Sequence, residues 1–351
     1  MKYLLLLFFI MICSLSVIAQ KTKDKSYHNK ISASGTKMIP VHKGRYKVFT
    51  QKTGSGRINL LLLHGGPLHS HEYFENFPEN LNSHEVAVYF YDQLGSYHSD
   101  QPHDSSLWNT DRFVEEIEEV RQGLGLTEFY ILGHHTGGLL AELYAQKYGQ
   151  HLKGIILSNI PSFSLQPKDS KILQNIFDSL RIVVAAKAAA LPYLARHKAQ
   201  VDSLQQGLKL ANTPWSKKLE QRYVMAVDSI FERTTHYNKP GALPDSYVRN
   251  KLHVKDRDKE MKAAFNKIRL PDYLQIIKNI KQPTLLLGAK NDYLLADGYD
   301  DLKASMVQAD VRMYICPSGS HFAMWDDTEN YFRELNRFIS EVEANTFNPD
   351  N

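Results

Sequence analysis

Residues 129–138 have the sequence Phe-Tyr-Ile-Leu-Gly-His-His-Thr-Gly-Gly. The first four are apolar and typical of a strand that is buried on both faces of a sheet. Glycines border the turn that follows, and a helix is expected from Gly137 to about Tyr148. The sequence therefore predicts a strand, a tight glycine-lined turn and a helix, with His135 at the tip of the turn.

Short apolar runs alternate with helical segments on both sides of this turn. Such alternation predicts an α/β fold with a mostly parallel, doubly wound sheet. Two early strands, joined by a turn at Lys43-Gly44, are expected to be antiparallel. The predicted strands cover residues 39–41, 46–50, 59–63, 86–91, 129–132, 154–157, 283–287 and 311–315.

The strand pattern is interrupted in the middle of the chain. Residues 31–160 and 273–345 are predicted to form one discontinuous α/β core. Residues 161–272 show no strand alternation and are predicted to form an inserted helical lid over the strand ends. Residues 20–30 are polar and charged, which is typical of a flexible tether.

The amino-terminal segment, residues 1–19, predicts a secretory signal peptide. A lysine precedes an apolar run, and small residues precede a cleavage site after Ala19. A membrane anchor is the alternative, although the run is short for a bilayer span. We therefore expect a secreted or periplasmic protein with no stable membrane span after cleavage.

Composition restricts the class of protein. The chain has 351 residues, of which 43% are hydrophobic and 23% charged, so wholesale disorder is excluded. A net charge of +4 is too diffuse to indicate nucleic acid binding. Without the signal peptide Cys316 is the only cysteine, so no intramolecular disulfide is expected.

Two titratable residues follow predicted strands beyond the turn. Asp292 comes after the strand at 283–287, and His321 comes after the strand at 311–315. The order nucleophile, acid, base is that of the α/β-hydrolases, whose nucleophile lies within G-x-S-x-G. Taken singly, Asp292 could be an ordinary turn residue and His321 an ordinary surface histidine. The joint placement of Asp292 and His321 near His135 favours a catalytic acid and base.

Acyl transfer also needs two donors for the oxyanion. The loop after Leu63 should supply one from its backbone, because its glycines permit a close approach. The backbone N–H of Thr136, next to the nucleophile position, should supply the other.

Five motifs in this order resemble the proline iminopeptidase family, and its secreted bacterial members in particular. The resemblance implies an α/β-hydrolase with a helical cap that releases an amino-terminal residue, preferably proline, from peptides. It implies a Ser–Asp–His triad without metal or cofactor, in which Asp292 and His321 are acid and base and Gly66 and Thr136 form the oxyanion hole. The motifs are HGGP at 64–67, YDQLGSYHSDQP at 91–102, GHHTGG at 133–138, LLLGAKND at 285–292 and YICPSGSHFAMWDD at 314–327.

The chain departs from the family at its reactive positions. His135 replaces the nucleophile serine, Thr136 replaces the usual tryptophan, and Leu68 replaces the last glycine of HGGPG. The family's tryptophan- and proline-rich lid segment is not found. Glu220 and Glu232 are candidates for binding a peptide amino terminus, with solvated helix-face carboxylates as the alternative.

Other groups near the turn are candidates for the role of the missing serine. Thr136 as nucleophile would shift the frame, and a β-branched residue tolerates the strained turn poorly. His135 itself could attack, with His321 as its base. Cys316 is expected in the core. A metal held by these histidines and Asp292 lacks a recognisable ligand spacing, so no metal is expected there.

Two functions follow from these patterns. The first is the family's hydrolytic reaction on a peptide or small ester, weak or lost because His135 replaces the serine. The second is a catalytically inactive protein that binds a peptide or small acyl ligand. No cofactor is expected in either case.

Overall fold

The computed structural model describes residues 35–66, 69–82, 84–160, 275–290, 292 and 299–350. Several predictions fall outside these residues and stay predictions. They concern the signal peptide, the tether, the lid at 161–272, Leu68, Glu220 and Glu232.

One eight-stranded sheet organises the described residues, with the strand order β1-β2-β4-β3-β5-β6-β7-β8. β1 and β2 pair antiparallel, β2 pairs antiparallel with β4, and every other neighbouring pair is parallel. This is the predicted doubly wound α/β sheet. Its strands are β1 Thr36–Val41, β2 Tyr46–Thr53, β3 Ile58–Leu63, β4 Val86–Tyr91, β5 Phe129–His134, β6 Leu152–Ser158, β7 Thr284–Ala289 and β8 Val311–Cys316.

Helices cover both faces of the sheet. In the described part of the chain, short 3₁₀ helices occupy His71–Phe74, Ser105–Leu107 and Gly149–His151. The α-helices are α1 Phe77–Asn80, α2 Thr110–Leu124, α3 Thr136–Tyr148, α4 Tyr299–Ser305, α5 Ala323–Asp326 and α6 Thr328–Glu343.

Alternating side chains of the central strands enter two separate cores. In β3, Leu61 and Leu63 pack into one hydrophobic cluster, whereas Leu60 and Leu62 pack into the other. Side chains of a strand point alternately to opposite faces, so a strand covered on both faces needs apolar residues at every position. This requirement is why the buried strands are visible in the sequence as continuous apolar runs.

Helix α2 shows one difference from expectation at its start. A threonine is a common helix cap, and from the sequence Thr110 would cap this helix, but the side chain of Asn109 accepts a hydrogen bond from the backbone N–H of Arg112. Gly125 ends the helix, with φ 71° in the left-handed region that glycine adopts at little cost. Among the described residues, every helix is too short or too polar to span a bilayer.

Candidate active site

The turn between β5 and α3 places His135 at a sharp corner of the backbone. Its φ of 52° and ψ of −127° lie in a region that non-glycine residues rarely adopt. Such conformations cost roughly 1–3 kcal/mol and persist only when the surrounding structure enforces them. The backbone N–H of His135 donates to the Ser158 carbonyl over 3.1 Å, and its carbonyl accepts from Gly138 over 2.9 Å.

Close backbone packing beneath the turn explains two of its glycines. A Cβ at Gly133 would lie 2.3 Å from the carbonyl oxygen of Gly137, where no side chain can fit. A Cβ at Gly65 would lie 2.8 Å from the Cβ of His135. The loop after β3 therefore packs directly against the tip of the turn.

The predicted acid and base meet at this edge of the sheet. Nδ1–H of His321 donates to Oδ2 of Asp292 over 3.1 Å, and both side chains are buried. The carboxylate can only accept, so this contact fixes the imidazole tautomer and leaves Nε2 of His321 to act as a base.

Asn159 orients the acid, a role that sequence analysis missed. Its Nδ2 donates to the same Oδ2 of Asp292 over 2.8 Å, and also to the Ser320 carbonyl over 3.2 Å. Asn159 is fully buried with φ 47°, and its backbone N–H donates to the Leu287 carbonyl. Its only sequence signal is a polar residue directly after a buried strand.

The nucleophile position faces the base. The ring centroids of His135 and His321 lie 5.2 Å apart, and the two rings are nearly perpendicular, at 86°. The turn, the acid and the base thus have the relative placement of a catalytic triad, with an imidazole where the serine hydroxyl would be.

His134 is a buried neighbour of this pair. Its Nε2–H donates to the His321 carbonyl over 2.8 Å, and its Nδ1 has no hydrogen-bond partner among the described residues. Burial away from water holds the pKa of His134 well below its usual value, and the adjacent His321 and His135 add to this effect. We infer that the His134 imidazole is neutral and that its hydrogen bond holds the backbone of His321 in place.

Other nucleophiles near the turn are engaged elsewhere. The Thr136 hydroxyl donates to the Gly66 carbonyl over 3.2 Å, and Thr136 begins α3 instead of occupying the tip. Burial raises the pKa of the Cys316 thiol, which stays protonated in the core. The buried Ser158 hydroxyl accepts a hydrogen bond from Tyr331 over 3.0 Å.

The predicted oxyanion loop is held by two buried rings. The Gly65 N–H donates to the Tyr73 hydroxyl over 2.6 Å, and the next residue, Gly66, has φ 142°. Nδ1–H of His64 donates to the Gly65 carbonyl over 2.7 Å, while Nε2 accepts from the Gln93 N–H over 3.0 Å. Tyr73 was not predictable from the sequence, since no local pattern links it to the glycine loop.

Comparison with known proteins agrees with this geometry. Residues 58–328 match the family described as alpha/beta hydrolase fold. The chain is 33% identical to a proline iminopeptidase of Elizabethkingia meningoseptica over 324 residues, covering 89% of this chain and 100% of that protein. It is 31% identical to one of Flavobacterium johnsoniae over 326 residues, covering 87% and 98%.

A solved structure supports the fold alone. The crystal structure of a proline iminopeptidase of Mycobacterium smegmatis matches with a TM-score of 0.61 and 17% identity, covering 89% of this chain and 100% of that one. The family follows from the match over residues 58–328, the two relatives above 30% identity and the strand order of the sheet. The chain belongs to the proline iminopeptidase family of α/β-hydrolases.

Proposed function

We propose that this protein binds the amino-terminal residue of a peptide, or a small acyl compound, in a proline-iminopeptidase-like pocket, and that hydrolytic release of that residue is weak or lost. One observation carries the proposal: His135 occupies the strained tip of the turn, at φ 52° and ψ −127°. The catalytic serine of the family would have to stand there.

The size of the expected loss follows from serine hydrolase chemistry. Removing the nucleophile from a triad lowers kcat about a millionfold, and the remainder comes from the oxyanion hole and binding. A millionfold loss corresponds to about 8 kcal/mol of transition-state stabilisation. Asp292 and Asn159 keep the base oriented, so the acid–base pair is retained while the attacking oxygen is missing.

A second candidate is slow hydrolysis through the histidine, favoured by the 5.2 Å separation of the His135 and His321 rings. A nitrogen of His135 would attack the carbonyl carbon while His321 accepts the proton from that ring. The leaving group would depart with a proton from His321, and water would then release the acid from the acyl-imidazole. Esters have the better leaving group, so this route favours esters over amides.

Two assays on the purified protein separate the candidates. The first measures turnover of a proline arylamide and of a small aryl ester, and the second measures thermal stabilisation by proline amide. We expect a melting temperature that rises with the logarithm of ligand concentration, and no turnover above background.

Matched variants make the assay decisive. Turnover that disappears in both His135→Ala and His321→Ala but persists in the exposed-site control His84→Ala would establish the second candidate and contradict the first. Absence of both turnover and stabilisation would contradict the binding proposal.

We also propose that the protein acts outside the cytoplasm, because residues 1–19 have the charge and apolar pattern of a signal peptide. Amino-terminal sequencing of the protein made in a bacterial host tests this. A chain that begins at Gln20 supports export, and a chain that keeps residues 1–19 contradicts it.

A further inference from the structure

A second group of histidines and carboxylates lies apart from the turn and its acid–base pair. His71 and Glu72 begin the 3₁₀ helix His71–Phe74, which follows the loop that contains Gly66. Asp92 follows β4 directly, and His98 lies farther along the same loop. None of the four takes part in the proposed chemistry.

Three of these side chains converge on one point. A ligand atom from each of His71, Glu72 and His98 lies within 4.8 Å of the other two. Nε2 of His98 lies 2.8 Å from Oε1 of Glu72, and the two imidazole centroids are 5.2 Å apart. The Phe49 ring stacks on His71 with a centroid distance of 4.8 Å, which limits the freedom of that ring.

Surrounding groups orient these potential ligands. Nδ1–H of His71 donates to Oδ1 of Asp92 over 2.9 Å, and the His71 backbone N–H donates to the same oxygen over 2.7 Å. The Ser70 hydroxyl donates to Oε2 of Glu72. Nε2 is the ring nitrogen of His71 that does not contact Asp92, and Oε1 is the carboxylate oxygen of Glu72 that contacts His98. A carboxylate that orients a histidine in this way is the usual outer partner of a metal ligand.

Charge gives a second, independent argument. Glu72 and Asp92 are both fully buried, and Oδ2 of Asp92 has no hydrogen-bond partner among the described residues. Buried charges in proteins are paired or coordinate metals. One divalent cation would balance the two carboxylates with both imidazoles neutral, whereas two protonated imidazoles are the alternative.

We propose that His71, Glu72 and His98 bind one divalent transition-metal ion, with zinc as the occupant, and that Asp92 orients His71. Two histidines and one glutamate form a donor set that zinc accepts, and three protein ligands leave a fourth position for water. The ion would join the segment after the glycine loop to the loop after β4. It would therefore stabilise the contact between these two segments without taking part in the reaction.

The experiment is a titration of the chelator-treated protein with Zn²⁺ by calorimetry in two buffers of different ionisation heat. We expect a tight site with a stoichiometry of one. Net release of protons is also expected, because a ligand imidazole must be deprotonated to bind. The melting temperature should rise with the logarithm of free Zn²⁺.

Variants identify the ligands. Glu72→Gln and His98→Gln should lose the tight site. Asp92→Asn should keep it with roughly 10- to 100-fold weaker affinity, as expected for an outer partner. The exposed-site control His84→Gln should bind Zn²⁺ as the wild type does. Ligand variants that bind like the wild type would overturn the proposal.

Cobalt keeps the test decisive if a ligand variant does not fold. Co²⁺ added to the wild-type protein should give the intense visible absorption of four-coordinate cobalt. A weak spectrum typical of six-coordinate, hydrated cobalt, or no stoichiometric Zn²⁺ binding, would mean that the cluster consists of ion pairs only and would contradict the proposal.

Discussion

Acid should destabilise this protein through His134, and the effect can be isolated by His134→Phe. The imidazole is fully buried, and its pKa lies well below the usual 6.5 because burial disfavours the charged ring. The unfolded chain protonates this histidine as the pH falls through 6.5, while the folded chain does not. The unfolded state then binds more protons, so stability falls as the pH falls.

The magnitude follows from linkage. A histidine that stays neutral in the folded state loses about 2 kcal/mol of stability between pH 7 and pH 5. Phenylalanine removes the titrating group but keeps a ring against Phe322, on which the His134 ring stacks at 5.3 Å. The lost hydrogen bond to the His321 carbonyl lowers stability by about 1 kcal/mol at every pH, so it cancels in the comparison.

Other buried histidines do not disturb this difference. Burial also lowers the pKa of His64, which adds an effect of the same sign to wild type and variant alike. His71 and Asp92 are present in both proteins, so the contribution of that pair to the pH dependence cancels in the comparison.

The assay is urea unfolding at pH 7 and pH 5, followed by fluorescence and circular dichroism with coincident transitions. The wild type should lose about 2 kcal/mol more than His134→Phe over this interval. The exposed-site control His84→Gln should retain the wild-type pH dependence. Equal losses for the wild type and His134→Phe would refute the account of a neutral, buried His134.

Three further predictions concern the same core. Gly133→Ala should lower the free energy of unfolding by about 3 kcal/mol or more, because its Cβ would lie 2.3 Å from a backbone oxygen. Gly125 has φ 71° and open space around it, so Gly125→Ala should lower the free energy of unfolding by only about 1 kcal/mol. Equal decreases for the two variants in urea unfolding would contradict this prediction. Cys316 is fully buried, so in protein without residues 1–19 it should react with a thiol reagent only after urea unfolding, and fast labelling of that native protein would contradict the burial. In a His135→Ser variant, the further change Asn159→Ala should lower kcat at least about tenfold and change the pH dependence of kcat, because Asp292 would no longer be held. An unchanged pH dependence of kcat would exclude a positioning role for Asn159.

The sheet and the turn were predictable because their physics is local in sequence. Strands buried on both faces need unbroken apolar runs, and β3 through β6 show them. A strained corner needs small neighbours, so the glycines around His135 mark it. Placement of Asp292 and His321 followed from parallel strands that end at one edge.

The supporting residues were not predictable because their contacts join distant parts of the chain. Asn159 reaches Asp292 across 133 positions, and no spacing rule connects them. The proposed metal ligands come from two loops that the sheet brings together, so His71 and His98 carry no recognisable motif. At the start of α2, Asn109 and Thr110 are both good capping residues, and only the backbone conformation distinguishes them.

We propose that the acid–base pair of Asp292 and His321 is oriented well enough to serve a serine at position 135. Replacing His135 with serine and measuring kcat/KM on a proline arylamide tests it most directly, with Asp292→Asn in the serine variant as a control. We expect kcat/KM to rise by at least about 1,000-fold over the wild type, toward the millionfold effect of a triad nucleophile, and we expect the control to lose that gain. A His135→Ser protein that folds but stays at the wild-type rate would contradict the claim.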